Sequence, residues 1–115
     1  MDLDEAIQKH SEWKVKFRSA INKRETLDAA TIRQDNCCVL GKWLRGEAKA
    51  LYGTKASLVD LIAKHADFHR NAAKVADAIN ASKYDVAEAM LHSGSEYGNA
   101  SLAVASAITA LKKEM

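Results

Sequence analysis

Ten residues, Leu58, Leu61, Ile62, His65, Phe68, His69, Ala72, Val75, Ala76 and Ile79, recur every three or four positions and constrain this chain most. That spacing is the period of an α-helix with one buried face. It carries two histidines into the interior. Residues four apart are neighbours on a helix surface, so His65 and His69 lie one turn apart on the same side. Two neutral imidazoles side by side in a core are costly unless each finds a partner, and a shared cation provides one. The segment is expected to be helical from about Ser57, where Ser57 and Asp60 resemble a capping box, to Asn80.

The rest of the chain supports the same class. It has no proline, five glycines and abundant alanine, a composition that favours helix over sheet. A first helix is expected from about Asp4 to Lys23, with Ile7, His10, Trp13, Phe17, Ala20 and Ile21 in phase. Between Lys23 and Asn36, Leu27, Ala30 and Ile32 suggest at most a short helical turn. A short second helix should run from about Cys38 to Leu51, broken at Gly46 and closed near Gly53. Ala81 and Ser82 form a tight link to a fourth helix, Tyr84 to Lys113. Its small residues, Ala87, Gly94, Gly98, Ser101 and Ala105, would allow close helix approach. The expectation is all-α: one domain over residues 1–115, an antiparallel four-helix bundle with a short second helix. Bundles of this kind place metal sites between facing helices.

His10 lies on the apolar stripe of the first helix, and Cys38 at the start of the second. Taken singly, an inward histidine is an ordinary core residue and a free cysteine a small hydrophobe. Together with His65 and His69 they offer three imidazoles and one thiolate, a tetrahedral set suited to an interior Zn2+ rather than to magnesium or calcium. Copper and nickel would also accept such donors. A site with all four positions filled by protein leaves no open position for substrate. The pair reads His-Ala-Asp-Phe-His and lacks the glutamate that serves zinc proteases as general base. No Glu-x-x-His motif of a di-iron bundle occurs. No catalytic residue is expected.

The 17 basic and 15 acidic residues are interspersed and the net charge is +2, which gives no argument for nucleic acid or an acidic membrane as partner. Apolar runs fall short of a bilayer span, and no signal segment opens the chain. The adjacent cysteines, Cys37 and Cys38, are poorly laid out for a structural disulfide, so a reducing, cytoplasmic setting is expected.

The run Cys38-Val39-Leu40-Gly41-Lys42-Trp43 resembles the Cys-x-[Leu/Phe]-Gly-x-Trp signature of the bacterial chemoreceptor zinc-binding (CZB) domain family. That family adds an upstream His-x-x-Trp, matched by His10 and Trp13, and a downstream His-x-x-x-His, matched by His65 and His69. The resemblance covers nearly the whole chain from His10 onward. It implies a small four-helix bundle holding one zinc through three histidines and one cysteine, often as a homodimer. It further implies a sensory module attached to a signalling output domain in a soluble chemoreceptor or diguanylate cyclase. Zinc level and oxidation of the zinc-bound cysteine by hypochlorite-type oxidants are the two signals it suggests. The alternative is a structural, zinc-stabilised interaction or dimerisation module without sensing.

Alignment to Gly41 and Trp43 selects Cys38 as the ligand. Cys37 is then a spare core residue or a resolving thiol. Gly41 would permit close approach of a neighbouring helix. Trp13 and Trp43 would shield the site or simply fill the core. Asp35 could hydrogen-bond a ligand histidine or cap the second helix. His92 matches no motif and reads as ordinary.

Overall fold

The computed structural model describes residues 1–36 and 38–115, so the expectations for Cys37 lie outside the described residues. Seven helices occur among the described residues: α1 (Leu3–Lys23), α2 (Ala29–Arg33), α3 (Val39–Arg45), α4 (Glu47–Tyr52), α5 (Ala56–Asn80), α6 (Tyr84–Met90) and α7 (Glu96–Lys113).

Local sequence explains where they begin and end. The Asp2 carboxylate accepts the Glu5 amide and starts α1, satisfying one of the orphan N–H groups of the first turn. Arg24 closes it in the left-handed conformation, φ 55°. Asp28 caps α2 through the Thr31 amide. Gly46 separates α3 from α4 as its place in the sequence suggests. The expected capping box on α5 does not form. Lys55 holds the cap position without a side-chain bond, and the Ser57 hydroxyl instead donates to Glu114 at the far end of the chain.

The expected fourth helix is two helices. The chain turns at Gly94, φ +85°, and Ser95 starts α7 by accepting the Gly98 amide at 3.0 Å while its hydroxyl donates to the Met90 carbonyl at 2.6 Å. A glycine in the left-handed region followed by a serine cap stops one helix and starts another. The small residues Gly94 and Gly98 therefore serve the break rather than helix packing; a Cβ at Gly98 would meet the His92 carbonyl oxygen at 2.9 Å.

These pieces assemble into four legs of alternating direction. Lys112 pairs with Asp4 and Arg18 with Glu88, so the α6–α7 leg runs against α1. Lys74 pairs with Glu96 while Ser57 bonds Glu114, so that leg also runs against α5. Leu27 meets Asn80 and Ile32 meets His69, so the jointed α2–α4 leg starts at the far end of α5 and descends along it. All ten residues of the periodic run are packed in the core. Phe17 and Phe68, both fully buried, stack with Tyr97 at the centre, ring centroids 5.7 and 5.6 Å away. Burying such a ring contributes roughly 1.5–3 kcal/mol. No helix among the described residues is long and apolar enough to cross a membrane.

Candidate metal centre

α1 presents His10 to the interior and α5 presents His65 and His69, all three at most 5 % exposed. α3 contributes Cys38, whose backbone is extended and whose sulfur caps the helix by accepting the Gly41 amide at 3.2 Å. Gly41 is required for this. A Cβ there would overlap the Asp35 carbonyl oxygen. The close approach expected at Gly41 is thus to the Asp35–Asn36 backbone, not to another helix.

The four side chains converge. His65 Nε2 lies 3.2 Å from His10 Nε2, 3.0 Å from His69 Nε2 and 3.3 Å from Cys38 Sγ. Cys38 Sγ stands 3.7 Å from His69 Nε2, and all four donor atoms fall within 4.8 Å of one another. Bond lengths of about 2.0–2.1 Å to nitrogen and 2.3 Å to sulfur give a tetrahedron with edges of roughly 3.3–3.6 Å. The four separations from 3.0 to 3.7 Å are close to those edges.

Proton accounting fixes which ring nitrogens face the centre. His10 Nδ1 donates to the Ala6 carbonyl at 2.7 Å, and His69 Nδ1 to the Ile32 carbonyl at 2.8 Å. A carbonyl only accepts, so the proton of each neutral ring sits on Nδ1 and its Nε2 lone pair faces inward. Both lone pairs point at His65 Nε2, which carries one proton at most. Without a metal the Cys38 thiol, 3.7 Å from His69 Nε2, is the donor left for the second lone pair. A cation at the common centre satisfies every one of these atoms, and carbonyl bonds of this sort fix the tautomer of metal-binding histidines.

Electrostatics keep the rings neutral. Burial lowers the pKa of His10, with the Ala6 bond opposing and the His69 charge adding. Burial also lowers that of His69. At His65 burial, then the charges of His69 and His10, push it down to about 3. Without a cation, burial raises the Cys38 thiol, opposed by the backbone amides at Gly41 and Leu40. The site is therefore three neutral nitrogens around a thiol that a cation would convert to thiolate.

Neither expectation for Asp35 is met. Cys38 itself caps α3, and the Asp35 carboxylate pairs with Arg45 at 2.7 Å. The Ala6 and Ile32 carbonyls hold His10 and His69, a role sequence reasoning missed because backbone acceptors carry no residue signature. Trp13 is half-buried beside Phe17, its ring 5.5 Å away, and lines a cleft with His10 and Cys38. Trp43 packs against the core, half-buried. His92 is exposed at the α6–α7 break.

The family model for the chemoreceptor zinc-binding domain matches residues 10–76, more than half of the chain and a span containing all four converging side chains. No curated protein and no solved structure matches it. With its three histidines and one cysteine positioned to bind a metal ion, the chain belongs to the chemoreceptor zinc-binding domain family.

Proposed function

We propose that His10, Cys38, His65 and His69 are the protein ligands of a single Zn2+ and that the chain forms one sensory domain without catalytic activity. The observation carrying this reading is the convergence of three Nε2 atoms and one sulfur at near-tetrahedral spacing. Bound there, zinc would supply the positive charge that holds Cys38 as a thiolate. Four protein donors leave no position for a substrate.

Cys38 is the switchable member. It is the least buried of the four and the one whose donor atom can be oxidised. A thiolate and hypochlorous acid yield sulfenic acid and chloride, a two-electron oxidation of sulfur that weakens it as a ligand. A fall in zinc would release the same tie. Either event frees α3 from α1 and α5, and a fused output domain of a bacterial chemoreceptor or diguanylate cyclase would read the change in the cytoplasm, most simply across a homodimer.

Burial of all three imidazoles favours a second reading, in which zinc is a permanent part of an interaction module. Chelation followed by circular dichroism separates the two. The sensor keeps a folded zinc-free state; the module unfolds outright. The ligand assignment itself is tested by metal analysis of the purified protein and of Cys38→Ser and His69→Ala. One zinc per chain in the parent and a marked loss in both variants is expected. Unchanged content in both would defeat the assignment.

A further inference from the structure

The centre is enclosed on most sides. α5 backs it with His65 and His69, α2 covers His69 through Ile32, and α1 covers the third side with His10. A cleft of about 430 Å3 opens between the first turns of α1 and the start of α3, and both His10 and Cys38 line it. Depressions elsewhere, over α5–α7, along the outer face of α1 and between α1 and α7, touch none of the four converging residues.

The walls of this cleft are built differently from each other. On the α1 side stands Trp13, held from beneath by Phe17 and from outside by Lys16, whose Nζ lies 4.6 Å from the indole centroid. Such a cation over an indole adds to its positioning. On the α3 side stands Val39, which is 75 % exposed although it directly follows the cysteine. A valine left this open beside a buried donor set leaves the sulfur's edge of the site uncovered.

From this arrangement we infer that the cleft is the entrance to the metal centre, with Trp13 as its fixed wall and Val39 as its open lip. Small solutes reach the Cys38 sulfur through it, and zinc enters and leaves by the same way. The inference rests on the zinc reading for its metal arm only; reagent access to the thiol does not depend on it. An entrance controls rates, not affinity. A residue at the lip therefore changes zinc uptake and release by the same factor and leaves their ratio unaltered, whereas a residue that merely supports the ligands changes the ratio.

Val39→Trp tests this, because Val39 is outside the core and a larger side chain there fills the cleft without repacking the bundle. Val59→Trp, at a position 59 % exposed on α5 and away from the cleft, is the control. Both are made on a Cys37→Ser background so that one thiol reports. Stopped-flow measurement of zinc transfer to a chromogenic chelator, zinc uptake by the stripped protein, and alkylation of Cys38 by iodoacetamide are compared. The expected result is several-fold slowing of all three in Val39→Trp, no change in Val59→Trp, and equal zinc affinity throughout. Trp13→Ala should move the alkylation rate the other way. Rates in Val39→Trp equal to the parent, or a change in affinity with unchanged uptake, would overturn the entrance. A parent that binds no zinc would defeat the zinc reading instead, and the alkylation comparison would still decide the entrance.

Discussion

Helix α5 and the jointed stretch from residue 25 to residue 52 lie side by side, yet different forces hold them. α5 is 25 residues long and buries a continuous face from Leu58 to Ile79. Its neighbour is broken into helices of five, seven and six residues, each too short to persist alone in water. The jointed stretch buries few side chains, chiefly Ile32, Leu40, Leu44 and Ala48. Polar ties supply the rest. The Asn80 side chain takes both the N–H and the C=O of Leu27, each at 2.8 Å; Asp77 holds Arg33 at 2.7 Å; His69 donates to Ile32. Of these ties, the one from His69 runs directly from the metal centre to the jointed stretch. On the sensory reading proposed above, the stretch carrying Cys38 is the part of the fold that would respond to chemistry at the centre, with α5 as the frame against which it would move.

The comparison breaks most visibly if the frame is damaged. Phe68 is fully buried and stacks with His10, His69 and Tyr97. Phe68→Ala should cost about 3–5 kcal/mol, the usual penalty for emptying an aromatic core site. Urea unfolding should show this loss with or without zinc, because the cavity lies in the frame. A cost that vanished on adding zinc would place Phe68 with the jointed stretch instead.

Acid sharpens the comparison at the centre. His10, His65 and His69 all have pKa values lowered mainly by burial, that of His65 to about 3. Below the ordinary 6.5 the unfolded chain takes up protons that the folded chain refuses. Stability of the metal-stripped protein is thus fully present above that pH and is lost as pH falls toward about 3. Each neutral imidazole contributes at most about 1.4 kcal/mol per pH unit. Chemical denaturation of the stripped protein between pH 7.5 and 4.5 should show a falling midpoint. A flat profile would mean that the three rings leave the core when the metal does.

Gly41→Ala acts on the jointed side alone. The added methyl overlaps the Asp35 carbonyl oxygen, so either the Asp35–Asn36 backbone or the cap at Cys38 must shift. Moving a metal donor out of position is expected to weaken zinc binding at least about tenfold, about 1.4 kcal/mol, while the far-ultraviolet spectrum keeps its helical signal from α1, α5 and α7. Competition with a chelator of known affinity measures it. Unchanged affinity would show that the cap does not fix the sulfur.

Legibility in the sequence followed the same division. α5 was readable because burial imposes a strict period, and His65 and His69 were readable as its polar interruptions. His10 followed from the phase of α1, and the joint at Gly46 from the glycine itself. Cys38 needed the pattern through Gly41 and Trp43. The ties were hidden. Nothing in the identity of Ala6 or Ile32 announces that their carbonyls hold two imidazoles, since any residue brings the same carbonyl. Asn80 lies at the end of a helix, where asparagine is commonplace, and its clamp on Leu27 spans 53 positions. The break between α6 and α7 reads in the sequence as continuous helix because Gly94 and Gly98 also suit close packing. Only the serine after Gly94 distinguishes a new helix start from a packing face.

Arg45→Ala gives the smallest and most local test. The Arg45 guanidinium reaches Asp35 at 2.7 Å from a side chain 56 % exposed, while Asp35 is 17 % exposed. A pair so open to water is worth about 1 kcal/mol or less. It ties the end of α3 back to the turn before Cys38, spanning ten positions of the jointed stretch and none of the frame. Global unfolding should therefore hardly change. Amide exchange at Leu40 to Arg45 should quicken, and at Leu61 to Ile79 it should not. Acceleration along α5 as well would mean that the two regions open together, and the jointed stretch could then no longer move against an unaltered frame.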